Sequence, residues 1–202
     1  GVLDGHGENG HLISQLCSKM IINKLSKYIQ VLHTDNFEKI YQNIKNNNFA
    51  VRKNIYNLVD KELPKQNFDI SYSGSTCLLV LQIGNNLISA NIGDSRGILI
   101  YDSINNENNI NKTKIFELSN DHKPNSPEEK ERILKKGGYI AKMSDSHGKG
   151  VGPYRVWYKT TNLPGLAMSR SFGDLFGKKC GVISEPEIIE YKLNDFSKHM
   201  VL

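Results

Sequence analysis

Hydrophobic periodicity changes along this chain after Phe68, from helical to strand spacing, and that change excludes most architectures. Across residues 9–30, Leu12, Ile13, Leu16, Met20, Leu25, Tyr28 and Ile29 recur at helical spacing. Two more helical stretches are predicted over 36–45 and 49–62, the second closed by Pro64. Beyond Phe68 the pattern is that of strands: 75–83, a turn at Gly84-Asn85-Asn86, then 87–92, 98–101 and 115–118. Such a succession predicts an antiparallel meander. Ahead of the helices, Gly1-Val2-Leu3 reads as the end of a buried strand. Ser126 is placed to cap a further helix, with Pro127 at its first position, Glu129 completing a capping box and Gly137-Gly138 ending it. Short strands at 139–143 and 154–158 flank a Gly-rich excursion, 146–152. Helices first and strands later indicate an α+β domain with helices packed on sheet faces.

The 202 residues suit one domain. Hydrophobic residues at 38% and charged residues at 23% place the chain among soluble globular proteins. The net charge of +5 admits an acidic or nucleic-acid partner, but no basic run exceeds a pair, so a solvated basic surface and no nucleic acid are expected. Cys17, Cys77 and Cys180 have neither zinc-ligand nor disulfide-framework spacing. Reduced thiols and an intracellular location, cytoplasmic or nuclear, are expected. No stretch approaches the roughly 20 apolar residues of a membrane span. The first residue is Gly, not Met, so the natural N-terminus and any targeting signal are expected to be absent.

Four polar motifs punctuate the strands. Asp4-Gly5-His6-Gly7 follows the first strand: a carboxylate suited to a hard metal, glycines that let backbone approach a ligand, and a proton carrier. The plainer reading is an Asp-Gly turn beside a surface His. Gly93-Asp94-Ser95-Arg96 is a tight turn whose plainer reading is a local Asp94–Arg96 pair. Asp121-His122-Lys123-Pro124 is a polar loop in which Asp121 can serve local backbone donors. Ser169-Arg170-Ser171-Phe172-Gly173-Asp174 has the look of a phosphate-binding loop, although Ser/Arg loops are common on surfaces. Nucleophilic alternatives fail. Six residues beyond the cysteines stand Asn23, Ile83 and Pro186 where a cysteine phosphatase needs Arg, and no Gly-x-Ser-x-Gly, P-loop or GxGxxG is present.

The order of the motifs is more specific than any one of them. Val2 to Gly7, Ser73-Gly74-Ser75-Thr76, Ala90 to Arg96, Leu118 to Pro124, Glu131-Arg132-Ile133 with Gly137-Gly138, Leu166 to Asp174, and Gly181-Val182-Ile183 with Glu185-Pro186-Glu187 together resemble the type 2C (PPM) metal-dependent serine/threonine protein phosphatases, across essentially the whole chain. The resemblance implies a four-layer α-β-β-α sandwich of two antiparallel sheets between helices. Residues 1–202 would be a partial catalytic domain, with insertions at 102–111 and 144–160. It implies two Mn²⁺ or Mg²⁺ ions bridged by Asp4 and bound by the Gly5 carbonyl, with Asp121 helping to hold a third, weaker one. His6 would be the general acid for hydrolysis of phosphoserine and phosphothreonine in proteins by a metal-bridged hydroxide. Asp94, Arg96, Arg170 and Asp174 would serve in supporting pairs near the cleft. Further metal carboxylates are expected outside these residues, so the 202-residue chain alone is expected to be inactive. Phosphoprotein substrates and a monomer are the partners expected. The alternative is a catalytically inactive phosphatase-like regulatory or binding module.

Overall fold

The computed structural model describes residues 1–46, 50–104, 111–159, 161–193 and 199–201. Only a two-residue strand, β1 (Gly5–His6), and a lone bridge from Val2 to Leu78 precede the helices. The buried strand expected at 1–3 is not formed: Val2 pairs on one side only and is 57% exposed. Helices α1 (Gly10–Val31), α2 (Phe37–Asn46) and α3 (Ala50–Glu62) follow as their periodicity predicts, while Phe49 lies outside the described residues. Pro64 sits in the single 3₁₀ turn, Leu63–Lys65, that ends α3. Among the described residues no helix is long and apolar enough to cross a membrane.

The strands are β2 (Gly74–Ser75), β3 (Cys77–Ile83), β4 (Asn86–Ile92), β5 (Ile98–Ile104) and β6 (Asn111–Glu117). Helix α4 (Pro127–Lys135) precedes β7 (Gly138–Ser144), β8 (Gly150–Tyr158), β9 (Thr161–Leu166) and β10 (Phe172–Gly173). Helix α5 (Leu175–Lys179), β11 (Glu187–Lys192) and β12 (His199–Val201) complete the order. All paired strands run antiparallel. The meander is corrected in one respect. Strand β4 is flanked by β3 and β11 and leaves no edge for β5, which centres a second sheet between β12 and β6. The middle of the Asn-rich stretch, 105–110, lies outside the described residues.

Strand β4 is buried along its whole length, and its alternation builds the sandwich. Ala90 and Ile92 pack against Ile13, Cys17 and Ile21 of α1 and Ile55, Tyr56 and Val59 of α3. Ile88 meets Ile40, Tyr41 and Ile44 of α2. On the opposite face Leu87 packs against Leu99 of β5 and against Leu118. Ser89 Oγ and Asn91 Nδ2, also on that face, donate to the Leu118 and Asn120 carbonyls, while Asn91 Oδ1 is buried without a hydrogen-bond partner among the described residues. Helices, first sheet and second sheet thus form successive layers. Helix α4 covers a separate β7–β8–β9 sheet through Ile133, Val156, Leu166 and Val182.

That sheet was legible only in part. Strands β7 and β8 run further than expected, so the Gly-rich excursion shrinks to a turn over 145–149, and β9, α5 and β11 carried no recognised signal. Part of the presumed insertion at 144–160 is therefore packed structure, with Val156 fully buried and residue 160 outside the described residues.

Candidate functional site

A small three-stranded sheet gathers distant segments. Gly5 and His6 of β1 pair with Ser75 and Gly74 of β2, which pair on the other side with Phe172 and Gly173 of β10. The approach requires glycine: a Cβ on Gly5 would stand 2.2 Å from the Gly10 carbonyl oxygen. Just before β1 the Asp4 backbone is pinned twice. Its N–H donates to Thr76 Oγ1 at 2.9 Å, and its carbonyl accepts from the Thr76 N–H at 3.0 Å. The Asp4 carboxylate is exposed and has no hydrogen-bond or ion-pair partner among the described residues. Val2 and Leu78 exchange both backbone hydrogen bonds, and counted from that pair the alternation of an antiparallel ladder turns the Gly5 carbonyl away from β2.

His6 Nε2 lies 2.7 Å from Asp174 Oδ2. The same oxygen accepts from Ser171 Oγ at 2.6 Å, and Asp174 is 1% exposed. Burial of the His6 ring works against its charged form. The hydrogen bond and charge of Asp174, aided by Asp4 and Asp94, outweigh burial and raise its pKa above the ordinary imidazole value. Nδ1 of His6 is buried and has no hydrogen-bond partner among the described residues.

The turn after β4 and the loop after β6 interlock. The Gly93 N–H donates to His122 Nδ1 at 3.1 Å, and the His122 N–H donates to the Gly93 carbonyl at 2.9 Å. Gly93 has φ +98° and lies against Thr76, conditions that only glycine meets without strain. The local Asp94–Arg96 pair is not formed. Asp94 accepts from Lys123 instead, and Arg96 donates from Nε and Nη2 to both oxygens of Asp121 at 3.2 and 3.0 Å. Lys123 Nζ is also 4.0 Å from Asp121. Asp121 therefore serves side-chain cations, not the local backbone.

Arg170 is committed inward. It donates to the buried Glu129 at 2.7 Å and to the Glu185 carbonyl at 3.0 Å, so it is not presented as a phosphate-binding side chain. Glu129 also accepts from Arg132 at 2.8 and 2.6 Å and from Ser169. Burial disfavours its charge, but these donors overcome it and hold the carboxyl at about 2. The capping box is thus corrected. Ser126 occupies the cap position without a side-chain cap bond, and Glu129 turns into the core toward two arginines. Arg132 three residues on was the signal for this pairing. Beside this cluster His122 is 4% exposed, and burial together with the Arg170 charge lowers its pKa to about 4.

Of the residues singled out, Asp4, Gly5, His6, Asp94 and Asp174 converge, Arg96 and Asp121 join through Lys123, and Arg170 stands behind His122. Sequence reasoning missed Glu129 and the carboxylate-binding role of Lys123. No group of three or more His, Cys, Asp or Glu able to hold a metal occurs among the described residues.

The family model for Protein phosphatase 2C matches residues 1–202. Probable protein phosphatase 2C 72 of Arabidopsis thaliana is 35% identical over 209 residues, covering 100% of this chain and 58% of its own length. Probable protein phosphatase 2C 14 of Oryza sativa subsp. japonica is 32% identical, covering 100% of this chain and 42% of its own length. The chain thus spans little more than half of the first of these relatives, and less of the second. A serine-threonine phosphatase 2C from Toxoplasma gondii shares the fold, with TM-score 0.70 at 19% identity over 96% of this chain and 63% of that one. So does a C. elegans sex determining protein, with TM-score 0.63 at 18% identity over 96% of this chain and 39% of that one. With the family model matching from end to end and a relative 35% identical covering the whole chain, the chain belongs to the protein phosphatase 2C family.

Proposed function

We propose that the protein carrying this chain hydrolyses phosphoserine and phosphothreonine in proteins, with His6 protonating the departing oxygen. One observation carries this reading: Asp4, a carboxylate without a partner among the described residues, stands two residues from an imidazole that Asp174 holds at 2.7 Å. An alkoxide is a poor leaving group, so a positioned acid whose pKa is raised matches the chemistry required.

The family depends on divalent magnesium or manganese. The residues present fit such an ion in part. Asp4 offers an unpartnered carboxylate and Gly5 a carbonyl turned from its ladder, both hard oxygen donors. Asp121 joins a weaker site only by releasing Arg96. Two bound ions would supply water of lowered pKa and neutralise phosphoryl charge. Thr76 holds the Asp4 backbone, and the β1–β2 ladder aims Asp4 and His6 to one side. No described group offers three metal-ligating side chains, so we propose that the 202-residue chain alone binds these ions weakly and turns over little. Three buried, unpaired cysteines support an intracellular setting. Phosphoproteins as substrates and a monomeric state belong to the same proposal.

A second reading, a phosphatase-like module without catalysis, draws on the capture of Asp94 and Asp121 by Lys123 and Arg96. Phosphate release from phosphoserine and phosphothreonine peptides by the intact protein in saturating Mn²⁺ separates the two. Ion uptake without release would favour the module.

A further inference from the structure

We infer that the cleft between α3 and the segment 182–185 is a binding site for a small zwitterion of the aliphatic α-amino-acid type. The motif from Gly181 to Glu187 stands out in the sequence, yet the proposed reaction gives it no part. The fold sets Val182, Ile183, Ser184 and Glu185 opposite Lys53 of α3, with Lys178 of α5 beside them. Together these residues line a space of about 450 Å³, within the usual range of small-molecule sites.

The lining carries both signs of charge. Lys53 Nζ lies 2.7 Å from Glu185 Oε1, and the two side chains are 43% and 57% exposed. An ion pair so open to water is weak, so either member is free to turn to a ligand. Lys178 stands deeper, with its side chain 20% exposed. Its Nζ donates to the Ser171 carbonyl at 2.7 Å and lies 3.1 Å from Asp60 Oδ2. An ammonium has three N–H donors, so one is left without an acceptor among the described residues.

These charges select the ligand. Two cations, Lys53 and Lys178, stand against two carboxylates, Glu185 and Asp60, so the set as a whole favours neither a simple anion nor a simple cation. A molecule that carries both charges gains at each end. Its carboxylate takes the spare Lys178 N–H, and its ammonium replaces Lys53 at Glu185, which frees Lys53 to join the carboxylate. Val182 and Ile183 provide an apolar wall for a short aliphatic side chain. Occupancy also has a reporter. Asp60 accepts from Ser184 Oγ at 2.9 Å and from the Gly173 N–H at 3.0 Å, so it ties the cleft to β10.

The test is an NMR titration of the ¹⁵N-labelled intact protein with L-leucine. Isocaproate, which lacks the ammonium, and L-leucinamide, which lacks the carboxylate, are titrated beside it. Leucine is expected to shift the Gly173 and Ser184 amides saturably with a Kd of about 1 mM, and each one-charged analogue to bind at least about 10-fold more weakly. Glu185→Gln, at an exposed side chain, is expected to weaken leucine at least about 10-fold without moving the unfolding midpoint. No saturable shift by about 20 mM leucine would overturn the assignment. Equal binding of either analogue would overturn it too, by making the cleft a plain anion or cation site, and that comparison needs no variant to fold. Unchanged leucine affinity in folded Glu185→Gln would do the same. None of these outcomes depends on phosphate release.

Discussion

His6 and His122 are both withdrawn from solvent, both lie in motifs that interrupt strands, and both face a carboxylate, yet they are tuned in opposite directions. Around His6 the neighbours are Asp174, Asp4 and Asp94, and their summed charge prevails over burial. Around His122 the carboxylate of Glu129 is already spent on Arg132 and Arg170, and the positive charge of Arg170 adds to burial. The Gly93 N–H occupies the His122 Nδ1 lone pair, fixing that ring as an acceptor in the frame. Burial by itself thus does not decide which imidazole carries a proton; the net charge left over by neighbouring pairs does. One histidine lies beside carboxylates that outnumber their cations, since of Asp174, Asp4 and Asp94 only Asp94 is in an ion pair with a lysine among the described residues. The other lies in a closed ion cluster and serves as structure.

The largest expected effect strikes the closed cluster. Glu129→Ala leaves two arginines facing a buried gap and should destabilise the fold by about 3–5 kcal/mol, measured by urea unfolding. Its charge also sets an acid limit. A carboxyl held at about 2 against an ordinary value of 4.5 contributes stability that is present above pH 4.5 and lost as pH falls through 2. That loss amounts to roughly 3 kcal/mol, and Glu129→Gln should flatten the window. Next, Asp4→Asn should weaken Mn²⁺ binding by calorimetry, and phosphate release by the intact protein, by more than about 100-fold. Its unfolding midpoint should hold, because the side chain is exposed and unpartnered; a falling midpoint would place Asp4 in the frame and erase the contrast. His122→Ala strips the acceptor from the buried Gly93 N–H and should cost about 1–3 kcal/mol. In the unsubstituted protein the His122 ring should stay neutral on lowering pH until about 4, read by NMR; titration near 6.5 would break the comparison outright. The smallest effect belongs to Arg96→Gln, whose exposed side chain should leave the unfolding midpoint unmoved while freeing Asp121.

Much of the frame could be read in advance. The first three helices and β3 through β6 follow local periodicity, which needs no knowledge of neighbours. Gly137 at φ +82° ends α4 as its position implies. The site was legible as motifs but not as pairings. Asp94 and Arg96 stand two residues apart and suggest each other, yet each finds its ion partner in the 121–123 loop. Glu129 matched a capping box and became the centre of a buried cluster instead. Strands β9 and β11 were missed because neither alternates cleanly; β9 carries Pro164 and Gly165, and its pairing with β8 shifts register.

The sequence by itself determined the first four helices and strands β3 through β6, and that Asp4, Gly5 and His6 stand together ahead of α1. These follow from spacing along the backbone, where sterics and period act over a few residues. Only the tertiary structure decided that His6 meets Asp174 across 168 residues, Arg96 meets Asp121 across 25, and Arg170 meets Glu129 across 41. Sheet assembly brings those groups within hydrogen-bonding range, and an ion pair is chosen by proximity in space, which no local pattern encodes.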